Sequence, residues 1–473
     1  MAPTFVVRDL SAQVRPVRLR LPFRFGAVTL QACPQLFVRA RIEVAGHGEA
    51  EGCSAEMMVP KWFDKRPGFS HADNVRHLTA SVQACIAAYT GDTPATPFGL
   101  FARHCPALMA QGAAAGQTEL SSAYGQAVVD RAVLDAMCRA LGVSFFEAAA
   151  RNVLGLRDDP LIADLHGFDW PRWLAALTPL RRIQARHTIG LLDELHQAQE
   201  GIDGLPVSLP AAIARYGLRS FKIKLGGDPL ADAARLEEVF GVLDAHAPGF
   251  SYTLDGNEQY ADAHALAVLF ERLHALPAFA RRPEALLYLE QPLPRELSLA
   301  HTLSAPASLL LDEADGTLDA FPRGAALGWS GVSSKACKGL YKSIVNRARC
   351  DQWNDADRRD GLAPRFFMSA EDLTCQAGLA VQQDLALLSL LGLPHSERNG
   401  HHYVDGFSDA PPAEQAGFAA AHADLYERSA GRPRLRISGG VIGLDSLHRP
   451  GFAHSADPDW TAMQPLDSAA ALV

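Results

Sequence analysis

Charged side chains follow a series of short apolar segments in the second half of the chain, at the points where buried strands would end. The segment RSFKIKLGG alternates Lys222 and Lys224 with apolar residues, so both lysines lie on one face of a strand. Further charges follow at intervals of 22 to 35 residues, about one βα unit each: Asp255 in TLDGNEQ, Glu290 in LLYLEQP, Asp312 and Glu313 in LLLDEAD, and Lys335 and Lys338 in GVSSKACKG. One such charge is usually a solvated residue or a helix cap, but an ordered set on successive strands predicts an active site.

The chemistry of these residues indicates metal-assisted proton transfer. The carboxylates of Asp255, Glu290 and Asp312 would repel each other strongly if they converged without a cation between them. Hard oxygen ligands favour Mg²⁺, with Mn²⁺ as the alternative. Burial, a second lysine and the cation would all lower the pKa of a neighbouring lysine, as a general base requires.

The elements that would position these residues begin at about residue 182. Eight apolar segments alternate there with amphipathic helical segments: IQARHTIG, RSFKIKL, FSYTLDG, LLYLEQP, LLLDEAD, GVSSKAC, RFFMSAE and LPHSERN. This order predicts a (β/α) TIM-type barrel, although a doubly wound open sheet gives a similar alternation. In a barrel the charged residues would meet at the carboxyl ends of the strands, where active sites of this architecture form.

The rest of the chain has a different character. Residues 1–150 predict an α+β domain with a long helix over residues 122–141, which Gly142 would cap. We expect residues 151–425 to form the barrel domain, with residues 156–181 as an insertion, and residues 426–473 to form a closing segment. The overall class is therefore α/β.

Composition excludes several classes of function. The 473 residues carry a formal net charge of −9, which argues against nucleic-acid and anionic-membrane partners. The eight cysteines contain no C-x-x-C pair, and no apolar run approaches the ~18 residues of a membrane span, so we expect a cytoplasmic protein. DGNEQY lacks the glycine of a calcium loop, and GHGEAEG lacks the lysine of a phosphate-binding loop.

The ordered motifs resemble those of the enolase superfamily, specifically its muconate-lactonizing-enzyme-like branch in the mandelate racemase/muconate lactonizing enzyme family. The matching motifs are KIK, D-G-N with Asp255 and Asn257, E-Q-P, D-E-A, K-A-C-K-G, and MSAED with Glu371. LPFRFG followed by GHGEAEG resembles the N-terminal capping domain of that superfamily. The tail GGVIGLDSLHRPGFA resembles its closing strand, which packs back on the cap.

This resemblance implies a role for each residue. Asp255, Glu290 and Asp312 would hold Mg²⁺, and the metal would bind the substrate carboxylate and stabilise the enediolate formed on loss of the α-proton. Lys224 would be the base on one face of the substrate, with Lys222 lowering its pKa, and Lys335 the acid or second base on the other. The predicted substrate contacts are Asn257, Glu313, Lys338, Glu371 and His395.

Three functions remain open at this point. The first is a racemase or epimerase, cycloisomerase or syn-dehydratase acting on a small-molecule carboxylate. The second is an acid-sugar dehydratase with a late-strand histidine as acid, for which His395 is the candidate in a region that also holds Glu397. The third is a non-catalytic ligand-binding barrel. Residues 23–29 and 53–63, including Met57, Met58 and Trp62, would contact the distal part of the substrate, and we expect a homo-oligomer.

Overall fold

The computed structural model describes residues 2–373 and 375–473. The N-terminal part of the chain forms an antiparallel sheet of three strands, which a short strand from the C-terminal tail extends in the order β15-β1-β2-β3. The strands are β1 (Phe5–Phe25), β2 (Val28–Val44), β3 (Gly48–Met57) and β15 (Gln464–Pro465). Four helices follow β3: α1 (His71–Tyr89), α2 (Pro97–Ala114), α3 (Glu119–Leu141) and α4 (Phe145–Ala150).

Helix α3 is the central helix of this N-terminal domain. It begins where the Thr118 side chain accepts a hydrogen bond from the Ser121 amide, and it ends at Gly142, whose φ of +64° suits a residue without a β-carbon. The predicted helix and its glycine cap are therefore confirmed. The helix packs directly on β3, because a β-carbon at Gly52 would lie 2.1 Å from the backbone nitrogen of Ala136.

The described part of the remaining chain contains eight parallel strands, and β11 pairs with β4 to close them into a barrel. All eight segments predicted as strands form them, so the (β/α) barrel is confirmed. The strands are β4 (Arg182–Ile189), β5 (Ser220–Lys224), β6 (Ser251–Asp255), β7 (Leu286–Glu290), β8 (Leu309–Leu311), β9 (Gly331–Ser334), β10 (Phe367–Ala370) and β11 (His395–Arg398).

Helices connect the strands on the outside of the barrel. They are α6 (Leu209–Tyr216), α7 (Pro229–His246), α8 (Ala263–Ala275), α9 (Pro277–Ala280), α10 (Arg295–Ser298), α11 (Ala320–Ala326), α12 (Leu340–Arg359), α13 (Leu379–Leu390), α14 (Gly400–Tyr403) and α15 (Pro412–Ala421). Because the strands are parallel, their carboxyl ends share one rim.

The segment predicted as an insertion precedes β4 and packs on α12. It contains the 3₁₀ helix Pro160–Leu165 and α5 (Trp170–Ala176). Trp173 Nε1 donates a hydrogen bond to Asp351 at 2.9 Å, and Asp164 accepts hydrogen bonds from Arg349 at 2.7 and 2.8 Å.

The C-terminal tail contacts both parts of the molecule. After the hairpin β12 (Tyr426–Ser429) and β13 (Arg432–Leu435), strand β14 (Val441–Gly443) pairs antiparallel with β4 of the barrel. Strand β15 then pairs with β1 of the N-terminal sheet. The domain limits at residues 150 and 425 stay predictions. In the residues described, no helix combines the length and apolar character that crossing a bilayer requires.

Candidate active site

Three buried carboxylates end three neighbouring barrel strands. Asp255 is the last residue of β6, Glu290 is the last residue of β7, and Asp312 directly follows β8. Asp255 and Glu290 are partners in the register of the two strands. All three side chains are inaccessible to solvent. The carboxylates thus lie side by side on the rim where barrel active sites form.

Two lysines bracket these carboxylates. Lys224, at the end of the second barrel strand, places its Nζ 2.6 Å from Asp255 Oδ2. Lys335, directly after the sixth strand, places its Nζ 2.6 Å from Asp312 Oδ2. These strands are four positions apart in a ring of eight, so the two amines approach the carboxylates from opposite sides.

A third lysine stands among four carboxylates. Lys222 Nζ lies 2.9 Å from Asp255, 2.7 Å from Glu290, 2.8 Å from Glu371 and 3.0 Å from Glu397. Burial alone would lower the pKa of Lys222, but the four negative charges outweigh burial and raise this pKa well above its usual value. Lys222 is therefore a charged centre of the cluster.

The expected lowering of lysine pKa values is not observed at Lys222 or at Lys335. At Lys335 too, burial acts to lower the pKa, and the attraction of Asp312 reverses this effect and raises it. The expectation assumed that a cation would neutralise the carboxylates. In the protein alone the carboxylates are instead paired with the amines, which stabilises the protonated lysines.

The carboxylates of Asp255, Glu290 and Asp312 are chemically suitable ligands for a divalent cation. The distances between them, however, are those of carboxylates that pair with lysines. Glu290 Oε2 lies 2.7 Å from Lys222 Nζ but accepts no hydrogen bond, and burial together with Asp255 and Glu371 raises the pKa of Glu290. In the described residues, one set of three ligand atoms lies within 4.8 Å of one another, that of Cys53, Asp135 and His454. The oxygens of Asp255, Glu290 and Asp312 are more widely spaced, with Lys222 Nζ between the first two.

Two predicted substrate contacts, Asn257 and Glu313, lie against a loop of the N-terminal domain. Asn257 Nδ2 donates a hydrogen bond to Glu313 Oε1 at 3.2 Å, and Lys65 Nζ lies 2.7 Å from the same oxygen. Glu313 Oε2 and Asn257 Oδ1 are buried without a hydrogen-bond partner. The pair therefore anchors Lys65 and still has acceptor atoms free for a ligand.

Aromatic rings from the N-terminal domain cover both bracketing lysines. The centroid of the Trp62 ring lies 4.3 Å from Lys335 Nζ, and that of the Phe23 ring lies 5.8 Å from Lys224 Nζ. Arg295 fixes the Trp62 loop, because its guanidinium donates hydrogen bonds to the carbonyl oxygens of Trp62 and Phe63 at 3.2 and 2.9 Å. Both rings belong to the two segments predicted to contact the distal part of a substrate.

Solved structures with this architecture cover almost the whole chain. An enolase from Bradyrhizobium complexed with magnesium and mandelic acid matches with a TM-score of 0.57 and 16% identity, over 97% of each chain. A muconate lactonizing enzyme from Mycobacterium smegmatis complexed with muconolactone matches with a TM-score of 0.55 and 16% identity, over 96% of this chain and 98% of that one. A dipeptide epimerase from Enterococcus faecalis complexed with Mg and L-Leu-L-Tyr has a TM-score of 0.55 and 13% identity, over 95% and 99%. The chain therefore shares the fold of these structures. No protein-family model and no curated protein sequence matches the chain.

The structure does not place His395 at the carboxylates, and Lys338, although its Nζ lies 3.7 Å from Asp312 Oδ1, pairs with other groups of the protein. Lys338 Nζ lies 2.8 Å from Asp315 Oδ2. It donates hydrogen bonds to Ser333 Oγ at 2.7 Å and to the carbonyl oxygen of Asp312 at 3.2 Å. His395 is the first residue of β11, at the amino end, and its Nδ1 lies 2.6 Å from Arg186 Nη1. Burial and the Arg186 guanidinium lower the pKa of His395 to about 3. The dehydratase hypothesis thereby loses its candidate acid.

Glu397, which lies in the same late strand as His395, is also part of the cluster. Glu397 contacts Lys222, accepts a hydrogen bond from Thr188 Oγ1 at 2.6 Å, and accepts another from the Asp372 amide at 3.0 Å. Glu371 also lies at the cluster, where Tyr288 donates a hydrogen bond to it at 2.7 Å, and its predicted contact with the substrate stays a prediction. The sequence indicates this role of Glu397, because it places a carboxylate inside the short strand HSER. A charged side chain in a buried strand is almost always paired.

Proposed function

We propose that the protein is a Mg²⁺-dependent enzyme that removes the proton α to a substrate carboxylate, and that it acts as an isomerase or a lyase. The observation that supports this most strongly is the order of charges around the rim. Lys224 contacts the first of three adjacent carboxylates and Lys335 contacts the last. A planar substrate placed over the carboxylates would present one face to each amine.

In this proposal Asp255, Glu290 and Asp312 hold the metal. A bound Mg²⁺ would supply Lewis-acid stabilisation of the negative charge that forms on the substrate carboxylate when the α-proton leaves. In the protein alone the same carboxylates pair with the amines of Lys224 and Lys335. With a cation bound to Asp255 and Asp312, these amines would be released from their ion pairs, and in the water-poor site a free amine can accept a proton from carbon.

Lys222 and two aromatic residues of the N-terminal domain have supporting roles in this proposal. Lys222 lies between Glu371 and Glu397 and stays charged. It therefore stabilises the carboxylate cluster and does not exchange protons with the substrate. The rings of Phe23 and Trp62 exclude water above the two bracketing lysines. Two basic groups on opposite faces permit racemisation or epimerisation, cycloisomerisation and syn-elimination, and the arrangement favours none of them.

The similar structures support a carboxylate as the substrate class. Mandelic acid and the dipeptide L-Leu-L-Tyr are bound in two of them together with magnesium. For this chain, the aromatic rings over both lysines favour a substrate with a flat or apolar distal group, as in mandelate, over a fully hydroxylated one such as tartrate. The intact set of carboxylates and lysines argues against a barrel that only binds a ligand.

The test is exchange of the α-proton for deuterium in D₂O, followed by proton NMR. Mandelate, L-Leu-L-Tyr and tartrate serve as probes, each with the enzyme loaded with Mg²⁺ and with the enzyme treated with a chelator. We expect exchange of at least one probe in the Mg²⁺ sample and none after chelation. Exchange that is equally fast after chelation would contradict the proposal, and so would a substrate that the enzyme converts with its α-proton retained.

A further inference from the structure

A cavity lies between the N-terminal domain and the barrel, and none of the three carboxylates lines it. It has a volume of about 360 Å³. Its walls come from α2 and α3, from the start of the inserted segment at Pro160 and Leu161, from the loop after β8 at residues 316–319, and from the start of α12. None of Asp255, Glu290, Lys335 or Trp62 lines it. The volume is within the range of small-molecule sites.

Most of the cavity wall is apolar. The side chains that form it come from both domains and from the insertion: Phe101, Pro106, Met109, Leu161, Leu318 and Tyr341. Such a wall gives affinity to a hydrocarbon or aromatic body through burial of apolar surface.

Two buried lysines form the polar end of the cavity. The side chains of Lys338 and Lys342 are exposed by only 3% and 5%. Both face one carboxylate, since their Nζ atoms lie 2.8 and 3.5 Å from Asp315 Oδ2. Lys338 also lies 3.7 Å from Asp312, but that carboxylate already has Lys335 at 2.6 Å. Two buried ammonium groups therefore share the carboxylate of Asp315.

Two other acidic residues line the cavity. Asp130 lies on the α3 wall, where it accepts a hydrogen bond from Tyr89 at 2.9 Å, and burial raises the pKa of Asp130 well above its usual value, which favours its neutral form. Asp319 is exposed at the rim and pairs with Arg323 at 3.7 Å. Burial lowers the pKa of Lys342 to about 8, so the ion pair with Asp315 does not fully offset the desolvation of this ammonium.

We infer that this cavity binds a small monocarboxylic acid with an apolar body, whose carboxylate pairs with Lys342 and Lys338 at the buried end. The site is separate from the proposed active site and needs no metal. Binding adds a second carboxylate beside two desolvated ammonium groups that otherwise share Asp315, where a charge-assisted hydrogen bond is strong. The apolar chain then fills the space between α2, α3 and the inserted segment.

Octanoate is a suitable probe, and isothermal calorimetry on the full chain in the absence of divalent metal measures its binding. We expect one site per chain. Lys342→Met should weaken octanoate at least about tenfold, because it removes the ammonium that the carboxylate contacts. The uncharged analogue 1-octanol should bind the wild type more weakly than octanoate does, and its affinity should change little in Lys342→Met.

Two further variants locate the binding site independently of Lys342. Ala123→Trp fills the cavity from the α3 wall, where Ala123 is half-buried, and should abolish octanoate binding while the circular dichroism and melting temperature stay close to those of the wild type. Lys224→Ala alters the proposed active site at Asp255, does not touch Asp312 or Asp315, and should leave octanoate binding intact. Octanoate binding that survives Ala123→Trp, or that disappears in Lys224→Ala, would overturn the inference. Absence of binding to the wild type would do the same, and neither result bears on α-proton exchange.

Discussion

Replacing Lys222 with methionine should destabilise the protein strongly, because it removes an ammonium group that contacts four buried carboxylates. Methionine keeps the unbranched shape, so packing changes little. Lys224 still pairs with Asp255 and Arg186 still pairs with Glu371, but Glu290 and Glu397 lose their lysine partner. Breaking a buried ion pair typically costs ~3–5 kcal/mol. At about 2 °C per kcal/mol for a barrel of this size, the melting temperature should fall by roughly 5–10 °C.

Thermal unfolding in the presence of a chelator, followed by circular dichroism, measures this effect without interference from metal. Lys61→Met is the matched control, since the Lys61 ammonium is exposed and only donates to the carbonyl of Arg66. We expect the control to melt within about 2 °C of the wild type, as surface substitutions usually do. Added Mg²⁺ should raise the melting temperature of Lys222→Met more than that of the wild type, because unpaired carboxylates bind a cation more strongly. A Lys222→Met variant as stable as the wild type in chelator would refute the charged-centre role.

Two further predictions concern other buried carboxylates. Asp135 accepts a hydrogen bond from His454 at 2.8 Å, and its pKa is lowered to about 2: burial opposes this shift, and His454 is the strongest of the groups that produce it. Because the pKa is depressed in the folded state, the stabilisation is present above about pH 4 and is lost as the pH falls through 2. Asp135→Asn should therefore lower the free energy of unfolding, measured in urea, by about 2–3 kcal/mol at pH 7. The loss should become progressively smaller below pH 4. A cost that does not depend on pH would contradict this origin. In Mn²⁺ titrations, Asp255→Asn should weaken binding at least about tenfold, whereas Asp315→Asn, a buried aspartate outside the proposed metal set, should not; equal effects would argue against the ligand assignment.

The parts of the fold that the sequence predicted are those in which local pattern determines the structure. Each barrel strand is a short apolar segment that ends in a charge, so its identity and the location of that charge at the carboxyl end follow from local sequence. The alternation in KIK likewise predicts that Lys222 and Lys224 share a face, and both contact Asp255 Oδ2. Once the strands are ordered around a barrel, Asp255, Glu290 and Asp312 must be neighbours.

The failures concern residues whose position depends on a turn or on the exact start of a strand. In KACKG a 3₁₀ turn from Ala336 to Lys338 follows Lys335, and it directs Lys338 toward Asp315. His395 was expected at the rim, but β11 begins at that residue and places it at the opposite end of the strand.

The environment of Lys222 could not be predicted from the sequence either, because its four carboxylate partners come from four different strands or strand ends. The pairs Lys222–Glu371 and Lys222–Glu397 join residues 149 and 175 positions apart in the chain. The net direction of a lysine pKa depends on the balance between burial and all such charges. That balance is known only once the chain is folded.

The central claim is that Lys224 and Lys335 serve opposite faces of a metal-bound carboxylate, and stereospecific exchange tests it most directly. Each enantiomer of a probe that the wild type exchanges is incubated in D₂O with Mg²⁺ and with Lys224→Ala or Lys335→Ala. We expect each variant to lose exchange of one enantiomer and to keep exchange of the other, with the losses complementary and at least ~10²-fold, as for loss of a general base. If either variant exchanged both enantiomers at near wild-type rates, the assignment of that lysine would be wrong.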